Sequence, residues 1–166
     1  MKKNRRGFTL VELIVVITII GIVGALTFLS ASTARGADAK HCATEINAMI
    51  SKCRTGCLSR TGNVRLVISL ENGKLIGKYY EGANPEREET SVLSDVELEV
   101  SYMLTNQAKP KSIVGNPLTL AFDRSTGGLK TNLNTDTVYC TKILVTGGGQ
   151  TYTIEIVPST GSHKMT

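Results

Sequence analysis

The sequence predicts an α+β protein in which a long N-terminal α-helix, membrane-spanning in its first half, packs on a mainly antiparallel β-sheet head. Three observations lead there. The 24 residues from Phe8 to Ala31 are apolar apart from one formal charge, Glu12. The following stretch, to about residue 60, keeps apolar residues on a helical period. Beyond Gly62 the period changes to two, with turn residues between the alternating segments. A chain of 166 residues has room for one ordinary globular domain and an appendage. The organisation expected is therefore a basic segment over 1–7, an apolar helix over 8–31, its amphipathic continuation over 32–60 and a β-rich head over 61–166. With 5% aromatic residues and no Trp, the core of that head must be built chiefly from Val, Ile and Leu.

The basic segment accounts for most of the formal charge of +5. Lys2, Lys3, Arg5 and Arg6 precede the apolar run, and removing those four from 19 basic residues leaves 15 against 14 acidic ones. Such a cluster beside an apolar span holds an N-terminus on the cytoplasmic side of a membrane. A near-neutral remainder argues against a general nucleic-acid face. Lys109, Lys111, Lys130, Lys142 and Lys164 are the basic candidates in the head, with no clustering in sequence.

As a helix, Phe8 to Ala31 extends about 36 Å, enough for a hydrocarbon core of about 30 Å. The run is too long for the apolar part of a secretory signal, and no A-x-A-like cleavage pattern follows it. Glu12 is the anomaly, because a carboxylate at the centre of a bilayer costs about 2.5–3.5 kcal/mol on insertion scales. A plain anchor needs no such residue.

From Ala37 to Leu58, the residues Cys42, Ile46, Met49, Ile50, Cys53 and Cys57 form an apolar stripe suited to packing on a sheet. The helix is expected to run unbroken from Phe8 to about Ser59, and Thr61-Gly62-Asn63 to end it. All four cysteines, Cys42, Cys53, Cys57 and Cys140, lie beyond the apolar run and would face an oxidising compartment. On a straight helix Cys42 and Cys53 are about 16 Å apart, too far to bridge. Cys42–Cys140 with Cys53–Cys57 is the one complete pairing that avoids an impossible span, although an i,i+4 bridge is strained. A single bridge from the helix to Cys140 with two free thiols remains open. The Cys53/Cys57 spacing is C-x3-C rather than the C-x2-C of zinc sites, so no metal is expected.

In the head, "NVRLVISLENGKLIGKYYEG" reads as a hairpin, with Val64, Leu66, Ile68 and Leu70 on one face and Asn72-Gly73 at the turn. "ANPEREETSVLSD" reads as a charged connector. "VELEVSYML" alternates Val96, Leu98, Val100, Tyr102 and Leu104 against Glu97 and Glu99. "QAKPKSIVGNP" reads as a linker, Ser125 to Gly128 as a second turn, and "GGGQ" as the turn of a third hairpin. Six or seven strands of one antiparallel sheet are expected. No enzyme chemistry is indicated: His41 and His163 are far apart, no G-x-S-x-G elbow occurs, and "TGGGQT" lacks the P-loop lysine. No cofactor is implied.

"KKNRRGFTLVELIVVITIIGIVGAL" resembles the N-terminus of type IV prepilins and type II secretion pseudopilins: a short basic leader, then Gly7, then Phe8, with Glu12 fifth from Phe8. The resemblance implies a pilin-like fold and cleavage by a prepilin peptidase between Gly7 and Phe8, with N-methylation of Phe8. It implies a single-pass protein of the bacterial inner membrane with its N-terminus in the cytoplasm, later an extracytoplasmic filament subunit. The implied partners are the peptidase, an inner-membrane assembly platform and other pilin or pseudopilin subunits, in a homo- or hetero-filament. It also gives Glu12 a role in assembly, neutralised by the Phe8 amine of a neighbouring subunit. The ending "TYTIEIVPSTGSHK" resembles H-type minor pseudopilins. Many major pilins carry a proline partway along the helix, whereas "GALTFLSAST" has none, which tilts the reading towards a minor pilin or pseudopilin. Two alternatives are a membrane-anchored β-sandwich binding module that does not polymerise and a competence-type pilus subunit that binds DNA.

Overall fold

The computed structural model describes residues 9–59, 63–82, 87–130 and 138–166, with the side chains of 26–31 outside that description. The basic segment 1–7, the Gly7–Phe8 junction and the Thr61-Gly62 helix stop lie outside the described residues. One helix, α1 (Leu10–Ser59), runs without interruption for 50 residues, about 75 Å. Its second half buries one stripe, comprising Ala39, Cys42, Ala43, Ile46, Met49, Ile50, Cys53 and Cys57. Among the described residues no helix is long and apolar enough to cross a membrane. The apolar side chains described end at Ala25, and the span 8–31 expected from the sequence opens and closes on residues outside that description.

Among the described residues nine strands follow: β1 (Val64–Glu71), β2 (Lys74–Glu81), β3 (Arg87–Ser94), β4 (Glu99–Leu104), β5 (Lys111–Ser112), β6 (Leu118–Ala121), β7 (Cys140–Gly147), β8 (Gln150–Ile156) and β9 (His163–Met165). They form two antiparallel sheets in place of the single sheet expected, in the orders β3-β2-β1-β6 and β5-β4-β7-β8-β9. The division follows from β6, which returns to pair with β1 (Leu66 opposite Leu120, Ile68 opposite Leu118) and not with its sequence neighbour β5. Both sheets pack on α1. Leu66, Ile68, Ile143, Val145 and Ile154 meet the helix stripe in one continuous core with Phe122.

The first hairpin has the expected register, Glu71 opposite Lys74 across Asn72-Gly73. Both turn residues have positive φ, 52° and 77°, the combination that a two-residue turn matched to strand twist requires. Val64, Leu66 and Ile68 are buried as expected, while Leu70, at the strand end, is exposed.

Two expected connectors contain strands. Arg87–Ser94 is a full edge strand on β2, exposed on most of its length. An edge strand with solvent on both faces needs no alternation, so a charged run disguised it. Lys111–Ser112 is a two-residue strand on β4 inside the expected linker. The turn around Ser125–Gly128 is organised by Asp123, whose Oδ1 accepts from the Ser125 and Thr126 amides at 2.9 and 3.1 Å and from the Ser125 hydroxyl. The hairpin β7–β8 turns through Gly148 and Gly149, both at positive φ. That turn lies directly on the backbone of α1 between Ser32 and Gly36, where a Cβ on Gly148 would collide with Ser32 O.

Candidate assembly site

From Leu10 to Ala25, α1 keeps its side chains in solvent: Leu10 is 75% exposed, Val11 69% and Ile20 65%. Burying one such side chain contributes about 1.5–3 kcal/mol. The exposed apolar surface from Leu10 to Val23 runs all round the helix and is far larger than the scattered apolar residues of an ordinary surface.

The helix starts at a local device the sequence reading passed over. Thr9 Oγ1 accepts the amide of Glu12 at 3.2 Å, and Thr9 O accepts the amide of Leu13 at 3.1 Å. Thr9-Leu10-Val11-Glu12 is a T-x-x-E pattern, the sequence mark of a helix start, so the signal was available. Glu12 thus sits in the first turn, where a negative charge is favoured by the unpaired amides of the helix end. The carboxylate has no cationic partner among the described residues. Gly7 and Phe8, the expected cleavage and methylation positions, lie outside them.

The four cysteines are free, buried thiols, so none of the bridges considered from the sequence is formed. Each faces its own surroundings: Cys57 Sγ donates to Phe122 O at 2.9 Å, Cys53 Sγ lies 3.9 Å from Leu120 O, and Cys140 Sγ lies 3.6 Å from Lys142 O. Burial pushes the Cys42, Cys53 and Cys140 thiols up to about 12, with the Glu45 charge adding at Cys42 and Cys57 adding at Cys53. Burial raises Cys57 as well. They behave as small apolar core residues.

His41 is exposed on α1 beside Asp38 and Asp95, while His163 Nε2 lies 2.7 Å from Ser51 Oγ and ties β9 to the helix. Among the described residues no three His, Cys, Asp or Glu side chains come together in a way that could hold a metal ion. Of the five lysines noted in the head, Lys142 pairs with Glu155 at 2.7 Å, and Lys111 and Lys130 line one cleft between the sheets.

Residues 2–28 match the family described as the prokaryotic N-terminal methylation motif. The match takes in Gly7, Phe8 and Glu12 and supports a type IV pilin-like N-terminus of the prepilin type. Comparison with curated proteins and with solved structures found no match.

Proposed function

We propose that this protein is a structural subunit of a type IV pilus-like or type II secretion filament, in the minor-pilin or pseudopilin class. A prepilin peptidase cuts it between Gly7 and Phe8, Phe8 is N-methylated, and an inner-membrane platform polymerises it through α1. The observation that carries this reading is the bare apolar half of a helix whose other half is fused into the head, with one carboxylate, Glu12, in its first turn. In the membrane that carboxylate raises the free energy of the lone subunit. In the filament the Phe8 amine of a neighbour offsets the cost and selects one packing register. The methylation motif over residues 2–28 supports the processing step. The missing proline and the STG-containing ending support the minor or pseudopilin class.

Glu12→Gln tests the role of the charge separately from the helix start, because the main-chain amide of residue 12 can still reach Thr9 Oγ1. Membrane insertion and cleavage are expected at wild-type levels, with incorporation into sheared filaments reduced about tenfold or more. Undiminished incorporation would rule out a role for the Glu12 charge in assembly.

A further inference from the structure

A cleft of about 520 Å³ opens between the sheets where β6 faces the β4–β5 pair. Leu104, Leu118 and Leu129 line it together with two exposed lysines, Lys111 and Lys130. Neither lysine forms an ion pair among the described residues. Tyr102 also lines the cleft and is only 5% exposed. Two exposed lysines with no ion pair among the described residues, set beside apolar cleft walls, suit a segment carrying negative charge.

The head supplies a complementary segment nearer the bare helix, leading into the start of β4. Asp95, Glu97 and Glu99 are exposed where β3 passes to β4, alternating with the half-buried Val96 and Leu98. None of the three carboxylates forms an ion pair among the described residues. This segment sits near the emergence of the bare helix, since Asp95 shares a cavity with Asp38 and His41, and Leu98 packs beside Gly147 over Arg35. The cleft instead lies level with Cys53, whose Sγ faces Leu120 O. Residues 38 and 53 are about 22 Å apart along the helix axis.

We propose that the cleft receives the Asp95–Glu99 segment of a second copy of this chain, stacked head to tail. Lys111 and Lys130 pair with its carboxylates, and the cleft leucines cover the glutamate stems. Joining the acidic segment of one head to the cleft of the next is a heterologous contact, which extends as an open filament where its rotation does not close. The contact rests on the filament-subunit reading but not on abundance, because two adjacent copies suffice.

Charge exchange in filament-producing cells tests the contact. Lys111→Glu with Lys130→Glu is expected to lower incorporation about tenfold at equal membrane level, and Glu97→Lys with Glu99→Lys to do the same. The variant combining all four substitutions is expected to recover most of it. In an independent measurement, a chain carrying Lys111→Cys and Glu97→Cys is expected to form disulfide-linked multimers on mild copper-catalysed oxidation, whereas either single variant forms none. The cross-link decides alone if the combined variant fails to accumulate. Wild-type incorporation of Lys111→Glu/Lys130→Glu, no recovery by an accumulated combined variant, or cross-links only to a different protein overturns the stack, and leaves the filament reading standing if the wild-type chain enters filaments. Absence of the wild-type chain from filaments overturns both.

Discussion

Asp123 shows how one residue fixes a turn that the sequence marks only by composition. Its carboxylate is held down to about 2, first by the Ser125 hydroxyl and then by the Ser125 and Thr126 amides, all donating to Oδ1. The folded value lies below the ordinary 3.8, so the turn contributes stability that is fully present above that value and is lost as pH falls through about 2. Asp123→Asn keeps an acceptor but removes the charge. The variant is expected to be less stable than wild type at pH 5 and to show a shallower loss between pH 4 and pH 2, as followed by thermal midpoints across that range. Equal acid slopes in the two chains would contradict the assignment. Thr9 and Glu12 illustrate the same scale at the other end of the molecule. Their T-x-x-E spacing marks the helix start within a run whose apolar composition is that of a membrane span.

At the scale of elements, the turn between β7 and β8 acts as a collar on α1. Gly147 lies against Arg35 O and Ala39, Gly148 against Ser32 O and Gly36 N, and Gln150 beside Gly36. Gly36 is the residue at which the helix would weaken, by about 1 kcal/mol relative to Ala, and the collar covers that position. Gly148→Ala places a methyl group where α1 backbone already sits, at a positive φ that alanine resists. A loss of about 1–3 kcal/mol is expected, with faster amide hydrogen exchange across residues 32–39 of the full chain in detergent. Unchanged exchange there would mean that the turn rests on the helix without constraining it.

Elements with a local signature were legible in the sequence, and those defined by long-range partners were not. The helix stripe from Cys42 to Cys57, the Asn72-Gly73 turn and the paired glycines after Gly147 state their conformation in a few adjacent residues. Arg87–Ser94 gives no such statement, because its strand character comes from β2 beside it. The split into two sheets depends on β6 choosing β1, a pairing across some 50 residues of chain that no local pattern encodes. The cysteines were misjudged for a related reason. Helical spacing limits which pairs can meet, but it does not show that each thiol faces a carbonyl or a core wall of its own.

For the whole molecule, the decisive feature is the contrast between the two halves of one rod. From Ala39 to Cys57 the helix is finished, its apolar stripe sealed under two sheets; from Leu10 to Val23 it is bare. The proposed filament would cover the bare stretch by stacking it against copies of itself or its relatives, with the head on the outside. The proposed assembly depends on processing, because in it a new N-terminus at Phe8 supplies the amine for a neighbour's Glu12. The mass of the N-terminal peptide from protein recovered in sheared filaments tests it most directly. A chain beginning at Phe8 and carrying one added methyl group is expected; an intact Met1 in filament-producing cells would rule out processing for assembly.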